Sequence, residues 1–265
     1  MVNFYVMGTI ALITDYGKSD WFAGEMKGAM LRIAPDATIV DISNDITAGD
    51  VRAAAFSLLA CYRSFPAGTV FCVVVDPGVG SDRAAIAAKK GSYFFVGPDN
   101  GVLAWALTKE GRYTVRRIEN SALVLPSPSA TFHGRDIFGP VAAHLSKENC
   151  FDAVGEVLPG IVELSWPAAD HDRKYLLGSI VYIDHFGNAV STIDRDTIKL
   201  LDHAPTKVQM MKFGTELPLC NYFQEVASGQ GLAYVGSAGY LEIAINNANA
   251  AAIFGLQVGD KIKVI

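Results

Sequence analysis

Thr9-Ile-Ala-Leu-Ile-Thr14, closed by Asp15-Tyr-Gly17, is a short apolar run that stops at an acid and a turn residue. Its length and flanks read as a buried strand feeding a loop. Asp20 then stands where it can cap a helix, whose apolar face takes Phe22, Met26, Ala29, Met30 and Ile33 until Pro35 stops it. Thr38-Ile-Val-Asp-Ile42 is the next strand and the Ala-rich stretch from Asp50 to Tyr62 the next helix. Val70-Phe-Cys-Val-Val-Val75 follows, its unbroken apolar character marking burial on both faces. Strand, helix, strand, helix, strand predicts an α/β region with a mostly parallel sheet and crossover helices.

Further along, the chain changes character at Ser165-Trp-Pro-Ala-Ala-Asp-His-Asp172, a polar, Pro-containing stretch that reads as a linker. Beyond it lie short β-rich segments: Leu176 to Asp184, Ala189 to Ile193, Lys207 to Phe213, Tyr240 to Asn246 and Lys261 to Ile265. Glycines separate them, as the turns of a small barrel or sandwich require. The expectation is two domains: residues 1–165, α/β, and residues 175–265, all-β.

Bulk composition narrows the function classes. The chain has 265 residues, 51% hydrophobic and 18% charged, too apolar and too weakly charged for a disordered protein. Its densest apolar run is six residues, whereas a spanning helix needs about 20, so no membrane partner is expected. Net charge is -5, and the tight basic cluster Arg112 to Arg117 alternates with apolar residues like a half-exposed strand. A nucleic-acid surface shows a basic excess or stripe instead, so nucleic acid is not an expected partner. Cys61, Cys72, Cys150 and Cys220 are widely spaced, which suggests reduced thiols. Residues 1–7 lack a basic segment and a long apolar one, so no signal peptide and a cytoplasmic location are expected.

Several catalytic motifs are missing. No G-x-x-x-x-G-K-[ST] phosphate loop, H-E-x-x-H pair or G-x-S-x-G elbow occurs, and Gly78-Val-Gly80 meets Arg83 where a dinucleotide fingerprint needs its third glycine. The five histidines are scattered, so no metal site is expected. What remains are polar residues at the carboxyl ends of apolar strands, the edge where open α/β sheets bind ligands. Asp15 follows the first strand and Asp76 the third; each alone fits a turn or cap as well as a ligand contact. In Asp76-Pro-Gly-Val-Gly-Ser-Asp-Arg83 the loop residues let Arg83 fold back onto Asp76. Thr131-Phe-His-Gly-Arg-Asp136 precedes a helix, placing His133 at a helix start, either as a site residue or as a satisfied structural histidine. Arg135 and Asp136 fit a local ion pair equally well. Asp184-His-Phe-Gly-Asn188 and Gly236-Ser-Ala-Gly239 fit plain hairpin turns, with Glu242 an exposed strand residue. The residues alone define a two-domain enzyme or ligand binder with an acidic, glycine-lined cleft.

Eight segments in order add a resemblance: Thr14-Asp-Tyr-Gly17, Gly24-x-Met-Lys-Gly28, Pro35-x-Ala-x-Ile-Val-Asp41, Asp76-Pro-Gly-Val-Gly80, Gly97-Pro-Asp-Asn-Gly101, Phe132-His-Gly-Arg-Asp136, Asp184-x-Phe-Gly-Asn188 and Gly239-x-Leu-Glu-Ile-Ala244. Together they resemble the S-adenosylmethionine hydroxide adenosyltransferases (S-adenosylmethionine hydrolases, adenosine-forming), relatives of the fluorinase and chlorinase. The resemblance implies an α/β N-terminal domain, a β-barrel-like C-terminal domain, and a homotrimer whose neighbouring subunits share each site. It implies a catalytic set of Asp76, Arg83 and His133, and a ribose grip by Asp15. Asp184 would lie at the methionine end, and Phe186, Asn188, Ser237, Glu242 and the main chain near Ile245 would line the nucleoside site. S-adenosylmethionine would be the substrate, with no cofactor and no metal. Halogenating relatives carry Tyr where this chain has Asp76 and lack the Arg and His partners. They also carry an extra loop where Lys90 and Tyr93 are close together here. Hydroxide transfer is therefore expected over halide transfer; a halogenase, a non-catalytic nucleoside binder and an unrelated α/β hydrolase are the competing readings.

Overall fold

A computed structural model describes residues 8–148 and 150–265; the absence of a signal peptide expected for residues 1–7 lies outside them. The chain divides into two compact units, one ending at Leu164 and one running from Ser165 to Ile265.

The first unit is built on β1 (Thr9–Thr14), α1 (Phe22–Ile33), β2 (Thr38–Ser43), α2 (Val51–Cys61), β3 (Val70–Val74), β4 (Ala85–Lys90), β5 (Tyr93–Pro98), α3 (Ala104–Thr108), β6 (Thr114–Arg117) and α4 (Gly139–Glu148). Its six-stranded sheet runs β2-β1-β3-β5-β4-β6. The ladders β1/β2, β1/β3 and β3/β5 are parallel, whereas β4 pairs antiparallel with both β5 and β6. The sheet is therefore mixed, with its parallel half at β2-β1-β3-β5. Ile10 and Leu12 of β1 pack with Met26 and Met30 of α1 and with Val141 and Leu145 of α4. Ala11 and Ile13, on the alternate face, are equally buried, which is why this strand reads as an unbroken apolar run. Phe71 of β3 stacks on Phe95 of β5 at 5.4 Å and meets Tyr62 edge-on at 6.3 Å.

Asp50 caps α2, accepting from the Ala53 N–H at 2.9 Å. Asp20 does not cap α1. Trp21 takes the N-cap in a helical conformation (φ -77°, ψ -12°) without a side-chain bond, so the chain enters the helix without the extended residue a side-chain cap requires.

The second unit holds β7 (Asp170–His171), β8 (Leu176–Ile183), β9 (Ala189–Asp194), α5 (Arg195–Ile198), β10 (Lys207–Met210), β11 (Thr215–Pro218), β12 (Gly231–Val235), β13 (Tyr240–Ile245), α6 (Ala250–Phe254) and β14 (Lys261–Val264). Its sheet runs β11-β10-β14-β8-β9-β13-β12 with every ladder antiparallel, and β7 pairs with β8. The two edge strands approach each other where the Cys220 N–H donates to the Ala233 carbonyl at 2.8 Å. The sheet is thus a nearly closed barrel around Leu176, Ile180, Ile193, Val208, Leu241, Ile243 and Ile262. The strand expected over Lys207 to Phe213 is shorter: it turns at 211–214 and returns as β11.

Candidate functional site

In the first unit, β1 and β3 lie side by side in parallel, so both deliver an aspartate to one sheet edge. Asn100 fixes the end of β3 by donating Nδ2 to the Val75 carbonyl at 2.9 Å. The loop after Asp76 then reverses, with the Val79 N–H on the Asp76 carbonyl at 3.2 Å. That reversal returns Arg83 to Asp76: Nε donates to Oδ1 at 3.0 Å and to Oδ2 at 2.9 Å, and Nη2 also donates to Oδ2. The side chains are 5% and 10% exposed, which makes this a buried, bidentate ion pair. Removing one member of such a pair costs about 3–5 kcal/mol, because the other charge is left without a partner.

His133 joins the pair from a different element. It precedes a π-helical turn, Gly134–Phe138, that runs into α4, so the expected helix-start position is what the structure has. Arg83 Nη2 lies 2.7 Å from His133 Nδ1. A guanidinium has no lone pair to accept with, so Nδ1 is the acceptor and the neutral ring carries its proton on Nε2. Burial, and then the Arg83 charge, hold His133 below its ordinary value; Asp76 and Asp136 pull weakly the other way. Phe138 packs under the guanidinium at 5.2 Å. Arg135 and Asp136 do form a local ion pair, with Nε to Oδ1 at 2.6 Å.

Asp15 is half-buried and accepts the Gly49 N–H on Oδ2 at 2.9 Å. Among the described residues its Oδ1 has no hydrogen-bond partner, which leaves an acceptor for a ligand. Tyr16 stands beside it, its ring edge-on to Phe132 at 5.5 Å. Tyr16 lies inside the turn motif, where the sequence gives it no signal of its own.

In the second unit, all six expected residues line one cavity of about 920 Å³: Asp184, Phe186, Asn188, Ser237, Glu242 and Ile245. Asp184 and Asn188 interlock across the β8–β9 turn. Asp184 Oδ1 accepts the Asn188 N–H at 2.7 Å, and Oδ2 accepts Asn188 Nδ2 at 2.9 Å. Phe186, at the tip, is 73% exposed. Ser237 sits in the β12–β13 turn, closed by the Gly239 N–H on the Gly236 carbonyl at 3.0 Å.

Glu242 is only 8% exposed, against its reading as a surface strand residue. Tyr234 stands opposite it in the register and donates its hydroxyl to Oε2. Burial raises the Glu242 carboxyl above its ordinary value and nearby Asp184 adds to this, while the Tyr234 bond opposes it. A Cβ at Gly236 would overlap the Glu242 carboxylate, so a larger residue there would displace that side chain. Phe223, Gln224, Tyr234, Asn246, Asn247 and Ala248 also line the cavity. The Tyr234–Glu242 pairing follows from the β12–β13 register, which the sequence does not specify, and Phe223 has no local signal. Among the described residues, no group of three or more His, Cys, Asp or Glu could hold a metal ion.

Fold and site together define an α/β unit with an Asp–Arg–His cluster at a strand edge, followed by a barrel with a polar cavity. The SAM hydroxide adenosyltransferase N-terminal domain matches residues 10–155, and the C-terminal domain of the same name matches residues 178–263. The chain belongs to the SAM hydroxide adenosyltransferase family. It is 34% identical to the (R)-S-adenosyl-L-methionine hydrolase of Thermus thermophilus, covering 98% of this chain and 100% of that one. It is 31% identical to the fluorinase of Nocardia brasiliensis, over 96% of each. A crystal structure of an uncharacterized conserved protein from Thermotoga maritima superposes with a TM-score of 0.91 at 36% identity, covering 96% of this chain and 99% of that one.

Proposed function

We propose that the protein hydrolyses S-adenosyl-L-methionine to adenosine and L-methionine. The observation that carries this is the Asp76–Arg83–His133 cluster, three interlocked polar groups at a strand edge. The substrate supplies the driving chemistry: its sulfonium makes C5′ electrophilic, and methionine leaves as a neutral thioether. Water attacks in line opposite sulfur. The O–C5′ bond forms, the C5′–S pair moves onto sulfur, and one proton must leave the new hydroxyl.

Arg83 holds Asp76 and His133 in a fixed relation. With Nδ1 engaged and the ring neutral, His133 offers Nε2–H as a donor. Asp76 is the anionic member, the acceptor toward which the water's proton moves before reaching solvent. Asp15, with its unengaged Oδ1, grips the ribose hydroxyls. Asn188, Ser237, Glu242 and the main chain at Ile245 hold the nucleoside, Phe186 covers it, and Asp184 faces the methionine end. The enzyme acts without a metal or cofactor, as a cytoplasmic homotrimer in which the first unit of one subunit works with the second unit of a neighbour.

The test is to incubate the purified protein with S-adenosylmethionine, with and without chloride, and identify the nucleoside by mass spectrometry. Adenosine in both samples supports hydrolysis; 5′-chloro-5′-deoxyadenosine as the main product with chloride overturns it. Among the described residues, no helix is long and apolar enough to cross a membrane.

A further inference from the structure

Tyr16 follows Asp15 at the end of β1. Its ring is clamped between Phe132, edge-on at 5.5 Å, and Phe22, tilted at 6.2 Å. The clamp aims the phenol at the start of the π-helical turn. A Cβ on Gly134 would overlap Tyr16 Oη and lie 3.0 Å from Cζ. The hydroxyl therefore fills the space that a side chain at position 134 would take, one residue from His133.

Among the described residues, nothing hydrogen-bonds to this hydroxyl. Phenylalanine would make the same ring contacts without placing an unsatisfied polar group in a half-buried position. Asp15, Asp76 and Arg83 all act on the phenol electrostatically, so it lies within the field of the cluster. Burial above all, with those carboxylates, pushes its pKa far up, so the hydroxyl stays protonated and serves as a donor.

Resting on the hydrolase reading above, we infer that Tyr16 Oη donates a hydrogen bond to the oxygen that attacks C5′ and, after reaction, to the 5′-hydroxyl of adenosine. A water molecule has two lone pairs and two protons. With one lone pair accepting from Tyr16, the second is directed to C5′ and a proton to Asp76. Tyr16 thus sets the orientation of the nucleophile, while the cluster takes its proton.

The test is Tyr16→Phe, which keeps the ring and removes the donor. kcat should fall on the order of tenfold while KM stays within about twofold, the scale of one lost neutral hydrogen bond. A second readout separates this from a packing role. The native enzyme should bind adenosine about five- to tenfold more tightly than 5′-deoxyadenosine, and Tyr16→Phe should bring that ratio to about one. An unchanged kcat, or an unchanged preference for adenosine, overturns the role of Tyr16. A native enzyme that makes no adenosine overturns the hydrolase reading instead, and the two failures are distinguishable in one experiment.

Discussion

The two units carry candidate sites of opposite character. In the first, charged groups are buried against one another: Asp76 and Arg83 are almost fully enclosed, and His133 is held neutral beside them. In the second, the polar groups sit on two hairpins. Asp184 and Asn188 tie one turn, Tyr234 pins Glu242 across the β12–β13 ladder, and these residues line an open cavity. A buried ion pair is costly to build and is a weak source of stability. Its place at a strand edge fits the chemistry on water proposed above. Polar groups lining an open cavity suit recognition of a ligand's shape. On the function proposed above, reaction falls to the Asp76–Arg83–His133 cluster, and recognition to Asp15 and the cavity of the second unit.

That division makes the largest expected effects fall on kcat from the first unit. Asp76→Ala and His133→Ala should each lower kcat by about 10²-fold or more, with little change in the Kd for S-adenosylmethionine. Asp76→Ala should also lower Tm, because Arg83 loses its buried partner. Near-normal turnover in Asp76→Ala would break the assignment.

Binding residues should behave in the reverse way. Asp15→Ala and Glu242→Gln should raise KM by about tenfold with kcat nearly kept, as lost binding contacts do. A fall in kcat alone for Glu242→Gln would move that residue from recognition to reaction.

A smaller effect tests the sharing of sites between subunits. Asp76→Ala and an Asn188→Ala/Ser237→Ala double variant, co-expressed at equal levels, should scramble into mixed trimers. Around a closed head-to-tail ring, about a quarter of sites would then pair two intact halves. Activity should return to about a quarter of the native level. Mixed trimers without activity would place both halves within one chain.

The smallest effect is on pH dependence. His133 sits below the ordinary imidazole value of about 6.5, because burial and Arg83 disfavour its cation. The ring is therefore neutral at pH 7 and gains a proton only at lower pH than a free imidazole. The acid limb of kcat that His133→Ala removes should lie below pH 6.5; a limb above that value would contradict the environment described.

Much of the first unit's candidate site was legible because its signals are local. Apolar runs ending in Asp15 and Asp76 place both residues on one edge, and the glycine-containing loop between Asp76 and Arg83 is short enough to close the pair. The helix following His133 was equally visible. The antiparallel β4–β5 hairpin was not, because Ala85–Lys90 is rich in alanine and has little strand character of its own. The Asp20 cap failed because the backbone at Trp21 is already helical. In the second unit, the turns were legible from their glycines, but the burial of Glu242 was not. It depends on Tyr234, placed opposite by a register that composition does not specify. Phe223 reaches the cavity through its packing on Tyr234 at 4.8 Å, a contact with no sequence pattern.

The central claim is that water, activated beside Asp76, Arg83 and His133, attacks C5′. The most direct measurement is turnover of S-adenosylmethionine in 18O-labelled water, with the adenosine analysed by mass spectrometry. The account predicts one 18O atom per adenosine, located on the 5′-oxygen. Adenosine without the label, or a halogenated nucleoside in its place, would contradict it.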